Sequence, residues 1–263
     1  MVTFGAVTSI EAASRKYDAI ADRYEEMFFY VSDLGARLVA MADPAAGTRV
    51  LDIGAGRGAV ARAALARDCS VSAIDASPRM VACLSADHPD IEAAVMDAAN
   101  LSFPAASFDL VTAGFVVQIL PDLPRALAEM HRVLVPGGTL ALSLETQSIG
   151  RLAWLQDLTV EFFNPTGSSA APLAADRLDS LIADAGFLPP AREPVDIPVH
   201  LANPSALWDW LTPRGLADAV RTLPPDRAED FHCRFLAGAS AIETNGTITL
   251  DFAATLHRAT KPA

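Results

Sequence analysis

Three glycines at alternate positions, Gly54, Gly56 and Gly58, stand in the stretch VLDIGAGRG (50–58), just after the aspartate Asp52. Glycine is needed where a backbone turns sharply or where a ligand lies against the chain. This loop falls between a predicted buried strand and a predicted helix, at the edge where open α/β sheets bind ligands. Two ligands compete for it. GAGRGA satisfies the permissive dinucleotide pattern G-x-G-x-x-G/A with Ala59 in the last place. A nucleoside carrying no phosphate fits the same backbone.

The surrounding acids favour the second ligand. Asp52 precedes the first glycine by two residues, where a carboxylate would oppose a pyrophosphate but would tolerate an ammonium or a sulfonium. Asp75 ends the second predicted strand, where a carboxylate can accept both hydroxyls of a ribose. Asp97, followed by Ala98, ends the third and can accept the exocyclic amine of an adenine. Any one of them reads equally well as a solvated strand-end acid. Three acids in register along one sheet edge read as a site.

The elements that must position these groups alternate between strand and helix. Residues 9–42 read as helix, with Ile10, Tyr17, Ile20, Tyr24, Met27 and Phe28 at helical spacing, before DPAAGT (43–48) breaks the pattern. RVLDIG, SVSAID, IEAAVMD, FDLVTAGFVV and TLALSLE read as five strands. Between them, AVARAALARD reads as a helix, and so does SPRMVACLSADH, opened by Ser77 with Pro78 in its first turn. LPRALAEMHRVLV reads as a helix stopped by PGG. This order predicts a parallel sheet with helices on both faces. Beyond residue 145 the rhythm loosens: a helical stretch runs into the Gly/Ser/Pro loop NPTGSSAAP, then ADRLDSLIADAGF reads as helix and PVDIPVHL as strand. NPSALWDWL through CRFLAGASA reads as helix, and TITLDFAATLHRAT as a long closing strand.

Charge narrows the partners. The 263 residues carry a formal net charge of −12, which repels phosphate backbones and anionic membrane surfaces, so a small molecule is expected rather than nucleic acid or membrane. No apolar run approaches the roughly 20 residues that span a bilayer. The three widely spaced cysteines, Cys69, Cys83 and Cys233, form no disulfide framework, and the first residues carry no export pattern; the expected setting is cytoplasmic.

VLDIGAGRG, AIDASPRM, VMDAANLSFPAASFDLV and HRVLVPGG, in this order, resemble the successive motifs of class I S-adenosylmethionine-dependent methyltransferases, nearest to the ubiquinone/menaquinone-biosynthesis type and its small-molecule relatives. The resemblance covers roughly residues 15–145. It implies a single methyltransferase domain with a Rossmann-like, seven-stranded, mostly parallel sheet whose last strand is antiparallel. An N-terminal helical lid (1–42) would precede a cofactor-binding core (43–145), a helical insert (146–175), and C-terminal core strands (176–263) interrupted by a second insert at about 203–240. S-adenosyl-L-methionine is the implied cofactor, and the implied partner is a small-molecule methyl acceptor, methylated at O, N or C. By the same resemblance Asp52, Gly54, Gly56 and Gly58 would line the methionine half, and Asp75 and Ala76 the ribose. Asp97, Ala98 and Met80 would adjoin the adenine, with Gly114 and Phe115 near the sulfonium. Tyr17 and Tyr24, in YDAIADRY, would be lid contacts; an aromatic face near a sulfonium contributes ~0.5–2 kcal/mol.

The acceptor side is less patterned. Glu145 ends the fifth strand at the ligand edge, and His232 lies in the second insert; both are candidates to orient or deprotonate an acceptor. WDWL (208–211) and the pair Phe162–Phe163 supply either core or an apolar wall for a ring-bearing substrate. No zinc-type spacing, G-x-S-x-G elbow or phosphate-binding G-x-x-x-x-G-K is present. A nicotinamide-dinucleotide oxidoreductase, and non-methylating chemistry on the same cofactor site, stay open as alternatives.

Overall fold

A computed structural model of the chain describes residues 9–146, 150–163, 173–212 and 215–263. The elements run α1 (Ile10–Asp18), α2 (Tyr24–Met27), α3 (Val31–Ala42), β1 (Arg49–Ile53), α4 (Ala59–Leu65), β2 (Ser70–Asp75), α5 (Pro78–Asp87), β3 (Glu92–Val95), β4 (Phe108–Gly114) and α6 (Leu123–Val133). They continue through β5 (Leu134–Thr146), α7 (Ala153–Phe163), α8 (Ala175–Asp184), β6 (Ala191–Leu201), α9 (Pro204–Leu211), α10 (Leu216–Val220), α11 (Pro225–Ala241) and β7 (Ile248–Thr260). The seven strands form one sheet in the order β3-β2-β1-β4-β5-β7-β6, parallel except for β7, which runs antiparallel to both neighbours. The expected α/β sheet with an antiparallel last strand is therefore present. Among the described residues no helix is long and apolar enough to cross a membrane.

The chain packs as two compact units. The larger contains, of the described residues, 9–145, 173–195 and 254–263. Its core is built on β1, β4 and β5: Leu51, Val111, Leu140 and Leu142 are fully buried, joined by Leu127, Met130 and Val133 from α6 and by Leu178 and Ile182 from α8. Sandwiching between helices makes the central strands read as continuous apolar runs. The smaller unit contains 146, 150–163, 196–212 and 215–253. Its core is aromatic. Phe231 and Phe235 on α11 are fully buried; Phe162 and Phe163 pack on Phe231 at 5.2 and 5.1 Å between centroids, and Trp208 on Phe235 at 5.0 Å. The WDWL and Phe162–Phe163 aromatics thus serve as packing inside this unit.

Three sequence readings need correction. The helix expected over 9–42 is broken into α1, a 3-10 turn at Ala21–Arg23, α2 and α3. An unbroken helix of that length would extend about 50 Å; the breaks let Ala13, Ala21, Met27, Tyr30, Leu34 and Leu38 all be buried within one unit. The helix expected to stop at PGG ends earlier, at Val133, and β5 begins directly at Leu134, carrying the PGG residues inside the strand. There Gly137 adopts φ +77°, its N–H donates to Lys261 O, and the β4–β5 register shifts between Phe108 and Leu110. The fourth strand ends at Gly114 rather than continuing through Val117, because Phe115 turns to φ +56°. The loop NPTGSSAAP (164–172) lies outside the described residues.

Candidate functional site

The carboxyl ends of β1, β2, β3 and β4, together with α1 and Tyr24, enclose a crevice of about 680 Å³. Ten of the expected residues line it: Tyr17, Tyr24, Gly54, Gly56, Asp75, Ala76, Met80, Ala98, Gly114 and Phe115. The remaining wall is mostly apolar, from Ile53, Ile74, Met96, Val116, Ile119 and Leu120 on the sheet side and Ile10, Ala13 and Ser14 on α1. Of the α1 contribution only Tyr17 was expected; Ile10, Ala13 and Ser14 were missed, although with Tyr17 they share the i, i+3, i+4, i+7 spacing of one helical face. A smaller recess of about 510 Å³ shares Tyr24, Gly54, Gly114 and Phe115 with the crevice and adds Glu25, Asp52, Arg57 and Ser143.

The glycine loop divides its tasks. All three glycines have positive φ. A Cβ on Gly54 would meet Val116 Cγ2 at 2.5 Å, and one on Gly58 would meet Leu84 Cδ1 at 2.5 Å, so these two are glycines because protein packs against them. Gly56 differs: the nearest atom to its hypothetical Cβ is Tyr24 Cε1 at 3.8 Å, so the missing side chain leaves room inside the crevice. Gly58 lines neither cavity and instead precedes α4 as its N-cap.

The three acids are not level. Asp52 pairs with Ala73 across β1–β2, and Asp75 pairs with Val95 across β2–β3, so each acid lies two residues beyond its predecessor. Two residues of strand are about 6.6 Å, enough to put the three in different surroundings. Asp52 lies deepest, 1% exposed, one oxygen accepting from Thr112 Oγ1 at 2.8 Å and the other from Ala61 N at 3.0 Å. Burial raises its pKa from 3.8 to about 7 against the pull of those bonds. Asp75 holds two loops together, accepting from Gly56 N and Ser77 N, both at 2.8 Å. A carboxylate offers about four acceptor positions, so capacity remains for a ligand. Burial raises its pKa as well. Asp97 accepts from Ala99 N at 2.9 Å and is not among the crevice residues, although its neighbours Met96 and Ala98 are.

An aromatic series follows the mouth of the site. Tyr17 meets Tyr24 edge-on at 6.3 Å, Tyr24 packs tilted on Phe28 at 4.8 Å, and Tyr30 meets Phe115 edge-on at 6.5 Å. The Phe115 ring is carried on a left-handed backbone whose N–H donates to Ser143 Oγ at 2.9 Å. Such strain at a non-glycine residue persists only where the surroundings hold it. The Tyr17 phenol is pushed up to about 12 by burial, with Asp75 and Glu145 adding repulsion; Glu145 itself lines neither cavity. His232 is exposed on α11 in the smaller unit, its ring 4.2 Å from that of Trp208, and it lines neither cavity.

The donor set fits a purine nucleoside with a cationic tail. Among the described residues lining the larger crevice there is one carboxylate and no lysine or arginine to meet a pyrophosphate. A family model described as a methyltransferase domain matches residues 51–142. The chain is 27% identical over 262 residues to the nocamycin O-methyltransferase of Saccharothrix syringae, covering 90% of this chain and 94% of that one. It is 30% identical over 234 residues to the trans-aconitate 2-methyltransferase of Methylobacterium radiotolerans, covering 82% and 88%. The crystal structure of the YcgJ protein from Bacillus subtilis shares the fold, with a TM-score of 0.63 at 21% identity over 88% of this chain and 99% of that one. The chain belongs to the class I S-adenosylmethionine-dependent methyltransferases. It is an enzyme of that class, its cofactor is S-adenosylmethionine, and the dinucleotide alternative is not favoured.

Proposed function

We propose that the chain transfers a methyl group from S-adenosylmethionine, bound in the larger crevice and the adjoining recess, to an oxygen, nitrogen or carbon of a small organic acceptor. The observation that carries the assignment of the site is Asp75. It is a part-buried carboxylate with spare acceptor capacity, in an otherwise uncharged crevice walled by Met80, Ile74 and Met96. In this reading Asp75 accepts the ribose hydroxyls, while Ala76, Met80 and Ala98 adjoin the adenine with Asp97 at its rim. The glycine loop and Asp52 receive the methionine end, whose ammonium would match a carboxylate otherwise costly to ionise. Gly114 and Phe115 sit nearest the sulfonium.

When bound, the cofactor supplies an electrophilic methyl group; the protein binds, aligns and dries the site, which is where most of the acceleration of such a displacement lies. The rings of Tyr17, Tyr24 and Phe115 exclude water from the crevice. Glu145, at the end of β5, is the acceptor-side group proposed to orient or deprotonate the incoming nucleophile; His232 is not assigned a role. The relatives named as O-methyltransferase and trans-aconitate 2-methyltransferase favour oxygen as the acceptor atom and a small metabolite as the substrate. The net charge of −12 supports such a molecule over nucleic acid. Residues 9–42 are proposed as a lid within one methyltransferase domain.

Calorimetric titration with S-adenosylhomocysteine tests the site. Wild type should bind, and Asp75→Ala should bind at least tenfold more weakly, since a desolvated carboxylate accepting two hydroxyls contributes about 1.5–3 kcal/mol per bond. Undiminished binding by Asp75→Ala refutes the placement of the ribose.

A further inference from the structure

α1 walls the crevice on one side with Ile10, Ala13 and Tyr17, and the residue after Tyr17 points elsewhere. The Asp18 carboxylate reaches across to the start of α5, where one of its oxygens accepts from the Ser77 hydroxyl and from Arg79 N at 3.0 Å. A helix N-terminus leaves backbone N–H groups without intrahelical partners. Here two residues far apart in sequence share them: Ser77 Oγ takes Met80 N at 3.0 Å, and Asp18 takes that of Arg79. Ser77 is fully buried, and its own N–H donates to Asp75 Oδ1 at 2.8 Å. Ser77 therefore links α1 to the acid that faces the crevice: its hydroxyl donates to Asp18 and its backbone N–H to Asp75.

Other contacts hold the same segment down. Asp22 pairs with Arg79 at 2.6 Å, Glu25 with Arg62 at 2.9 Å, and Arg57, from the glycine loop itself, donates to Ala21 O at 2.9 Å. The two ion pairs are a third to two-thirds exposed, where such pairs contribute little individually. Asp18 differs from them, because its partners are the backbone and the buried hydroxyl of the loop carrying Asp75. The bond from Ser77 keeps the Asp18 carboxyl below the usual carboxylate range, so it is ionised at neutral pH.

We propose that Asp18 is a positioning residue for the cofactor: it latches α1 over the crevice and, through Ser77, fixes the loop that presents Asp75. This rests on the reading that the crevice takes S-adenosylmethionine, but the latch itself is a property of the free protein. Breaking it frees the covering helix and loosens the ribose acceptor together, so the bound ligand escapes faster.

The experiment pairs two readouts on wild type, Asp18→Ala and Asp18→Asn. Hydrogen exchange is followed on the ligand-free proteins, and stopped-flow dissociation is followed for S-adenosylhomocysteine. Asp18→Ala should speed exchange across residues 10–18 and leave the amides of Val50–Ile53 unchanged. It should raise the dissociation rate about tenfold, as expected for losing hydrogen bonds to an ionised, part-buried group. Asp18→Asn keeps an oxygen acceptor for Ser77 and Arg79 and should return both readouts to within about threefold of wild type, a rescue that loss of charge alone would not allow. Ser77→Gly removes the hydroxyl while keeping a residue tolerated at a helix start, and should follow Asp18→Ala. Wild-type exchange over residues 10–18 in Asp18→Ala, or a wild-type dissociation rate, overturns the proposal. If wild type binds no S-adenosylhomocysteine, the cofactor assignment falls, and exchange in the free proteins still decides whether the latch exists.

Discussion

Replacing Asp52 by asparagine should make this protein more stable in alkaline solution and less dependent on pH. Asp52 lies in the central strand, 1% exposed, with a pKa raised by burial from 3.8 to about 7. Its folded state therefore holds a proton that the unfolded chain releases earlier. The stabilising contribution of that proton is complete below the unfolded value near 3.8 and is lost as pH rises toward 7. The full elevation corresponds to roughly 4 kcal/mol, of which about 2–3 kcal/mol falls between pH 5 and pH 8. Asparagine carries no such penalty and keeps the local bonding: its oxygen can accept from Ala61 N, and its amide can donate to Thr112 Oγ1 while that hydroxyl turns toward Leu51 O, 3.5 Å away. Urea unfolding at pH 5, 6.5 and 8 reads the difference. The midpoint of Asp52→Asn should exceed that of wild type by an increasing margin, reaching ~1 M near pH 8 for a chain of this size. Asp18, Asp109 and Glu129, held below their usual values by hydrogen-bonded partners, act mainly below pH 5 and are common to both proteins. A margin that stays constant from pH 5 to pH 8, or a less stable variant at pH 8, would refute the idea that burial governs this carboxyl.

Gly54→Asn should lower thermal stability sharply, by roughly 3 kcal/mol or more, because its side chain meets Val116 at a sub-contact distance. Gly56→Asn should fold within about 1 kcal/mol of wild type, asparagine tolerating left-handed backbone, yet bind S-adenosylhomocysteine at least tenfold more weakly; calorimetry separates the two outcomes. Phe115→Leu should weaken S-adenosylmethionine more than S-adenosylhomocysteine, whose sulfur is an uncharged thioether, by about three- to tenfold in the ratio of dissociation constants, if the ring faces the sulfonium. The buried His257, bonded through Nδ1 to Asp179 at 2.7 Å, has its pKa lowered by burial. Its stabilising effect is complete above 6.5 and fades as pH falls below that value, so wild type should lose more stability than His257→Gln between pH 6.5 and pH 5 in denaturant titrations.

Several features of the site are local and could be read from the chain alone. The cap at Ser77 and the first-turn Pro78 are written in consecutive residues, and the structure shows Ser77 Oγ accepting from Met80 N. Asp75 at a strand end follows from the order of strands and loops, since parallel strands present their carboxyl ends on one edge, while Tyr17, Tyr24, Met80, Gly114 and Phe115 were legible only through the family resemblance. What escaped is non-local. Gly54, Gly56 and Gly58 look equivalent in a pattern, but Val116 and Leu84 decide which two are packed against protein and which one faces open space. Asp18 stands in YDAIADRY, but its role escaped because its partners are about sixty residues away.

By itself the amino-acid order determined the alternation of strand and helix, the class of ligand edge, and an acidic molecule whose glycine loop is flanked by carboxylates. These depend on periodicity, turn chemistry and composition, each expressed within a few residues. Tertiary structure alone decided that the acids form a staircase rather than a row, since strand register sets how far each reaches toward the edge. It also decided that the N-terminal helix breaks and folds over the crevice, because burying its apolar residues within one unit requires bends that helical spacing does not encode.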